Sequence, residues 1–284
     1  MFKRAYVEIT NRCNLRCAFC PGTRRPLRDM TVEEFSRITD RLRPAAEYLY
    51  FHVMGEPLCH PELETLLALA AEKGFRSCLT TNGTLLPRRA QTLLQAEGLH
   101  RLSVSLHSFE GNEGAGQQME DYLQGVWDVC RPLAEQGVIC VLRLWNEGGL
   151  EARNREIIAF LERCTGQRED QWPAPRKNAQ RLAPGLFLEH AARFDWPDLT
   201  APERGTEFCL GLRDQIAVLS DGTVVPCCLD HEGDMALGNL LRQELEEILA
   251  SPRARALYDG FSRRRPAEEL CRRCGYAARF SAGK

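Results

Sequence analysis

The sequence predicts an α/β architecture: a partial (β/α) barrel with parallel strands, followed by a small α+β domain with a β-hairpin. Three observations predict it. Strand-like and helix-like segments alternate five times between residues 5 and 165 with short connections, the pattern of a parallel sheet covered by helices. Every one of those strand segments ends in polar or glycine-rich residues, where the sites of such folds collect. A second block, Cys209 to Cys274, carries a hairpin signal and spaced cysteines. The expected organisation is a barrel over 1–165, a barrel closure, linker or lid over 166–208, and a cysteine-rich domain over 209–284.

The elements follow in order. Ala5 to Thr10 reads as a short strand delivering a cysteine loop. Thr31-x-x-Glu34 is a capping box opening a helix whose inner face is Phe35, Ile38 and Leu42. Glu47 to Val53 is nearly continuous apolar sequence, as in a parallel strand buried on both faces. Pro61 suits the first turn of the next helix, striped by Leu63, Leu66, Leu67 and Ala70. Phe75 to Thr81 is the third strand, Leu86 to Ala96 a helix, and His100 to Leu106 a strand with Leu102, Val104 and Leu106 opposite Ser103 and Ser105. A helix over 117–136, a strand over Val138 to Leu144 and a helix over Leu150 to Arg163 complete the series. From Thr165 to Gly185 prolines and charged groups predict a long surface connection. Leu186 to Leu199 is expected to close the barrel mouth. Ile216 to Ser220 and Thr223 to Cys227 flank Asp221-Gly222, a hairpin turn, and a helix is expected over Asn239 to Ala250.

Composition narrows the chemistry. A formal net charge of −2 gives bulk electrostatics no hold on nucleic acid or anionic membrane, and no run approaches a membrane span. Thirteen cysteines, with no apolar h-region in MFKRAYVEITNRC, read as metal ligation in a reducing cytoplasm rather than a disulfide framework.

The loop Cys13-Asn14-Leu15-Arg16-Cys17-Ala18-Phe19-Cys20 offers three thiols to one point. A closed structural zinc site takes four ligands. Three thiolates on a four-iron cluster leave one iron open, and Phe19 stands where it can cover a heteroaromatic ring. This spacing resembles the radical S-adenosylmethionine (SAM) superfamily, whose open iron is chelated by the methionyl group of SAM. Gly55-Glu56-Pro57 resembles the family's GGEP element, with Met54 in place of the first glycine; the resemblance implies that its backbone and Glu56 bind the methionyl amine. Asn82 lies in a TNG-type turn similar to the family's. Ser105 and Arg143 are similar in strand position to residues that hold the SAM ribose and carboxylate, arginine being the natural carboxylate partner. The likeness covers about residues 5–165.

Cys209, Cys227, Cys271 and Cys274 can enclose a second centre, with Cys228 competing. Their spacing resembles the auxiliary iron–sulfur (SPASM) domain of radical SAM enzymes in its shortened, single-cluster twitch form, and closely resembles that of the aminocyclitol dehydrogenase of butirosin biosynthesis. The resemblance implies two 4Fe–4S clusters and SAM as cofactors. It also implies hydrogen abstraction from a small hydroxylated metabolite, with the auxiliary cluster accepting an electron. A peptide-modifying maturase and a redox-neutral epimerase are the alternative outcomes, with a peptide as substrate in the first. The enzyme of molybdenum cofactor synthesis is similar in layout, though its terminal Gly-Gly is replaced by SAGK. A non-catalytic iron–sulfur or zinc protein is the different class; four cysteines suit structural zinc as well, but such a protein needs no SAM pocket, and the Gly55-Glu56-Pro57 and Asn82 turns at the strand ends speak against it. The implied reductant is a flavodoxin- or ferredoxin-type protein, for which Arg263 to Arg265, Arg272 and Arg273 offer a solvated basic face.

The remaining candidates read as structural or as substrate contacts. Cys59, Cys78, Cys130, Cys140 and Cys164 are expected to be small core residues, and His52 a satisfied core histidine. His107 and Glu110 follow the fourth strand, where loop and substrate roles are both open. His190, Asp195 and Trp196 are substrate-side candidates.

Overall fold

The computed structural model describes residues 2–112 and 118–281. Its strands form one sheet in the order β10-β9-β8-β1-β2-β3-β4-β5-β7-β6. β1 (Arg4–Val7), β2 (Tyr48–Tyr50), β3 (Arg76–Thr81), β4 (Leu99–Ser105) and β5 (Ile139–Glu147) are parallel neighbours. Between them run α1 (Val32–Leu42), α2 (Leu63–Glu72), α3 (Leu86–Leu94) and α4 (Met119–Glu135); α5 (Asn154–Thr165) follows β5. The expected start of α4 at Gln117, and the last three residues of the SAGK end, lie outside the described residues. The Thr31 capping box is present, and α1 buries Phe35, Ile38 and Leu42 as its spacing requires.

Three corrections concern the second half. The expected surface connection contains a strand, β6 (Ala179–Ala183), antiparallel to β7 (Leu186–Ala192), and β7 runs parallel to β5. The prolines and charges that suggested a loop sit in the turns around these short strands. The helix expected over 239–250 is only α6 (Leu245–Leu249), preceded by β10 (Gly238–Asn239). A further helix, α7 (Pro252–Ser262), follows, with Ser251 accepting from the Ala254 amide and Pro252 at its start.

The predicted hairpin forms from β8 (Gln215–Val218) and β9 (Thr223–Val225). It does not stand apart: β8 pairs in parallel with β1, Arg4 opposite Gln215 through Val7 opposite Val218. The open sheet curves as a partial barrel whose first strand sits between the two halves of the chain. α8 (Glu269–Arg272) and α9 (Ala278–Ser281) close the C-terminal region.

Strand side chains alternate between faces. Ala5, Val7, Leu49, Phe51, Leu79, Leu102, Val104, Leu142 and Leu188 belong to the main apolar core with the helices. Tyr6, Val53, Ala217, Leu219 and Val225 form a smaller cluster on the other, inner face. By the same alternation Thr80, Ser103, Ser105 and Arg143 face inward. The barrel interior is polar at the C-terminal ends of its strands.

Candidate active site and metal centres

The cysteine loop follows β1 and is pinned from several strands. Cys13 and Cys20 are exposed and Cys17 is half-buried. The Ala18 amide donates to the Gly111 carbonyl at 3.0 Å, and the Arg16 amide to Asn112 Oδ1 at 2.8 Å. Asn112 Nδ2 also donates to Cys17 Sγ at 2.9 Å. A Cβ on Gly111 would stand 2.8 Å from the Phe19 ring and 3.3 Å from the Cys17 Cβ, so the loop seats against backbone there. The Phe19 ring packs on His107, centroids 5.1 Å apart. Asn112 was not legible in the sequence, because no motif marks the turn after β4. Burial pushes the Cys13 thiol up to about 12 and raises Cys17 and Cys20 as well, so metal binding here releases protons.

The Met54–Pro57 loop lies directly behind. Gly55 has φ +77°, and a Cβ there would meet the Thr10 carbonyl at 2.5 Å and the Arg12 carbonyl at 2.8 Å. The Glu56 amide donates to the Arg12 carbonyl at 2.8 Å. Its side chain is only 2% exposed. Oε1 accepts from the Leu58 amide at 3.1 Å and Oε2 from the Asn82 amide at 2.7 Å. Burial pushes this carboxyl up to about 7 despite those bonds. The structure thus places the Glu56 carboxylate on protein amides, clamping the ends of β2 and β3 together. Pro57 opens the short 3₁₀ turn that Glu56 caps.

Asn82 joins the strand ends. Its Nδ2 donates to Asn14 Oδ1 at 3.0 Å and lies 4.0 Å from Cys13 Sγ. Its carbonyl accepts from Tyr122 at 2.8 Å. Ser105 pairs in register with Arg143, and Arg143 with Glu189 on β7. The Arg143 guanidinium sits 4.4 Å over the Trp145 ring; its Nε is 3.9 Å from Glu189 Oε2 and makes no hydrogen bond among the described residues. Burial lowers it to about 10.

His52 departs from expectation: its buried Nδ1 has no partner among the described residues, and its ring lies edge-on to Tyr6 at 5.4 Å and Tyr50 at 6.1 Å. The inner face holds no strand backbone to satisfy it. Burial lowers His52 to about 3 and His107 to about 4, keeping both imidazoles neutral. Their stability contribution is complete above the ordinary histidine value, about 6.5, and is lost as pH falls through these lowered values. Metal-free His52→Phe is therefore expected to lose less stability than wild type between about pH 7 and pH 4 in urea melts; parallel curves would contradict this.

The second cysteine set meets at one pocket, although no group of three or more His, Cys, Asp or Glu side chains among the described residues is arranged to hold a metal ion. Cys209, Cys227, Cys271 and Cys274 line the pocket, with Leu229, Met235, Phe261, Leu270 and Tyr276 among its walls. Cys228 is not among them; it packs on the inner-face cluster with Tyr6 and Val53. The second hairpin strand ends at Val225, so Cys227 does not end it as expected: Cys227 and Cys228 lie in the turn beyond it, and that turn sends the two thiols to different sides. Four thiols in a largely apolar chamber suit an iron–sulfur cluster, whose ordinary ligands are thiolates. Three thiols on the first loop suit a cluster with one iron open.

Other candidates have structural partners. Glu110 accepts from the Ala152 and Arg153 amides at 3.0 and 3.3 Å. Asp195 pairs with Arg204 at 2.7 Å and Arg193 at 3.4 Å, and Trp196 lies edge-on to His231 at 5.3 Å. Cys78, Cys130 and Cys140 are buried, and Cys59 and Cys164 half-buried. Of the basic face, Arg263, Arg264 and Arg265 are exposed and Arg272 and Arg273 half-buried. Arg264 pairs with Glu207, Arg272 with Glu203 and Arg273 with Glu269, and Arg273 also bonds the Ala201 carbonyl. Acidic partners thus offset part of the charge of this face, and Arg264, Arg272 and Arg273 tie it to the 201–207 segment.

The comparisons with known proteins agree with this geometry. Residues 7–146 match the Radical SAM superfamily model, and 209–275 that of an iron–sulfur cluster-binding domain, SPASM. The AdoMet-dependent heme synthase of Methanosarcina barkeri is 31% identical over 122 residues, 42% of this chain and only 33% of that protein. A probable GTP 3',8-cyclase of Methanocella arvoryzae is 25% identical over 289 aligned residues, covering 86% of this chain and 87% of its own. Among solved structures, BtrN in complex with AdoMet and 2-DOIA superposes with a TM-score of 0.63 at 19% identity, over 96% of this chain and 93% of that one. AdoMet-bound anSMEcpe gives 0.60 at 15%, over 90% and 79%. Among the described residues no helix is long and apolar enough to cross a membrane. The chain belongs to the radical SAM superfamily through residues 7–146 and carries a SPASM iron–sulfur cluster-binding domain over 209–275, two domains that imply SAM and 4Fe–4S clusters as cofactors.

Proposed function

We propose that the enzyme abstracts hydrogen from a carbinol carbon of a small hydroxylated metabolite and completes a dehydrogenation, the second iron–sulfur site taking the remaining electron. The observation that carries this reading is the convergence of Cys209, Cys227, Cys271 and Cys274 on one chamber: four thiolates leave no iron open, which suits electron acceptance better than substrate ligation. The fold of BtrN, solved with 2-DOIA, is consistent with it. When bound, the clusters supply one electron for SAM cleavage at the first site and an acceptor at the second. A flavodoxin- or ferredoxin-type reductant would deliver the first electron.

The chain's own residues have separable tasks in this reading. Cys13, Cys17 and Cys20 hold the first cluster, with Phe19 beside it. The Gly55 loop receives the methionyl amine on its backbone while Glu56 and Pro57 keep that backbone rigid. Asn82 orders the turn beside Cys13. Ser105 and Arg143 take the ribose and carboxylate; the Arg143 Nε, which makes no hydrogen bond among the described residues and is only loosely paired with Glu189 at 3.9 Å, supports that role. Neutral His52 and His107 line the polar interior as hydrogen-bonding groups without adding charge. The proposed domains are those of the sequence reading, with β6 and β7 in the closure segment completing the barrel edge.

Iron and sulfide content after anaerobic reconstitution, measured beside dithionite-driven SAM cleavage, tests the proposal. Wild type is expected to hold about eight irons and Cys227→Ala about four, with 5′-deoxyadenosine still formed by both. About four irons plus one zinc in wild type would remove the electron acceptor and the dehydrogenase reading with it.

A second reading is favoured by the similarity to GTP 3',8-cyclases across 86% of the chain: a redox-neutral conversion. Production of 5′-deoxyadenosine that rises specifically on adding GTP would move the assignment there.

A further inference from the structure

Glu8 is completely buried on β1's inner side of the cysteine loop, and neither the family resemblance nor the proposed chemistry uses it. Its two oxygens take four donors. Oε1 accepts from Arg25 Nη2 at 2.7 Å and the Met54 amide at 3.1 Å. Oε2 accepts from Arg25 Nη1 at 2.8 Å and the Ser220 amide at 3.0 Å. Arg25 then donates Nε to the His231 carbonyl at 2.7 Å. Next to it, the Arg24 amide donates to Glu232 Oε1 at 3.0 Å.

These contacts gather segments far apart in sequence. Arg25 is five residues after Cys20, and Met54 immediately precedes Gly55. Ser220 lies in the turn of the C-terminal hairpin, two residues beyond β8, and His231 is four residues after Cys227. One ion pair therefore touches the exit of the first cysteine loop, the glycine loop behind it, and chain on either side of β9 and Cys227, a thiol of the second chamber. A buried ion pair is weak evidence for stability, because desolvation offsets much of its attraction. A bidentate arginine–carboxylate fork, however, admits essentially one relative orientation of its partners.

We infer that Glu8 and Arg25 are a positioning pair, which holds the first cysteine loop and the Gly55 loop in fixed register with the second cysteine chamber. The inference rests on the two-site reading above. The pair touches no reacting atom. It sets where the two sites stand relative to one another, and a lysine at position 25 keeps the charge while losing the fork and the bond to His231.

Arg25→Lys tests this in two states of the full chain. In the metal-free protein, amide hydrogen exchange is expected to accelerate about tenfold or more, together, over residues 20–26, 53–56 and 228–232. A purely local role would accelerate only 20–26, and that result would overturn the inference. In the reconstituted protein, iron content should match wild type, SAM should bind about tenfold more weakly, and the cluster-to-cluster distance distribution from pulsed electron paramagnetic resonance should broaden. An unchanged distribution with unchanged SAM affinity would also overturn it. Should Arg25→Lys not fold, Glu8→Gln preserves side-chain shape and is read by the same criteria. A wild type that holds only the first cluster would instead defeat the two-site reading, leaving the exchange result to decide on the pair.

Discussion

Cys17→Ala is expected to lower SAM cleavage by ~10⁴-fold or more, the scale seen when an essential member of a catalytic unit is removed. Three thiols are the fewest that leave one iron open while holding the rest, and Cys17 is the most tightly placed of them. It is half-buried, accepts from Asn112 at 2.9 Å and lies in a loop seated on Gly111. Neither exposed neighbour, Cys13 or Cys20, can take its position. Asn112→Ala offers the graded comparison. It removes the donor but not the ligand, and losses of about 10- to 100-fold are the usual cost of such an outer partner. Iron content and 5′-deoxyadenosine from the reconstituted proteins check both. Wild-type cleavage in Cys17→Ala would show that the loop is not the first cluster's cradle.

Gly55→Ala is the second large effect. The added Cβ would stand 2.5 Å from the Thr10 carbonyl oxygen and 2.9 Å from the Asn11 carbonyl carbon. Those are backbone atoms of the strand leading into the cysteine loop, so no side chain can swing aside. The positive φ adds about 1–2 kcal/mol, and displacing the loop breaks the Glu56 amide's bond to Arg12. A stability loss of about 3–5 kcal/mol is expected, with SAM binding weakened beyond detection in calorimetry. Gly22→Ala is the control: its φ is also positive, at +67°, but a Cβ there meets nothing within 4 Å. It should cost only the conformational term, about 1 kcal/mol. Equal losses in the two variants, measured by denaturant unfolding, would show that the contact with Thr10 is not what requires glycine.

The parallel half of the fold was legible because its signals are local. The strand Tyr48–Tyr50 is announced by its apolar run, although it is shorter than expected and only Leu49 of its residues is buried rather than both of its faces, and α1 is announced by its capping box. The strand-end loops followed from topology alone. The β6–β7 pair was hidden because prolines and charges in its turns outweigh two short strands. Helix α7 did carry a signal, Ser251 before Pro252, which was not read. Cys228 illustrates a different limit. It lies in the turn beyond β9, and only the structure shows which of the adjacent pair faces the thiols. Asn112, Glu8 and Arg25 were beyond reach altogether, since their roles depend on partners 17 to 212 residues away for Glu8, up to 206 for Arg25, and 95 and 96 for Asn112.

The pairing of β1 with β8 bears on how the enzyme is made. β1 is synthesised more than 200 residues before its partner, and one of its edges is completed only by residues 215–218. Until those emerge, the strand that carries the first cysteine loop presents an unpaired edge, the kind that invites pairing with other chains. Contacts of such sequence separation also form slowly, because loop closure must precede any reward. Arg25 meanwhile waits for the His231 carbonyl. The first cysteine loop thus reaches its final shape only after residues 215–231 have folded onto it.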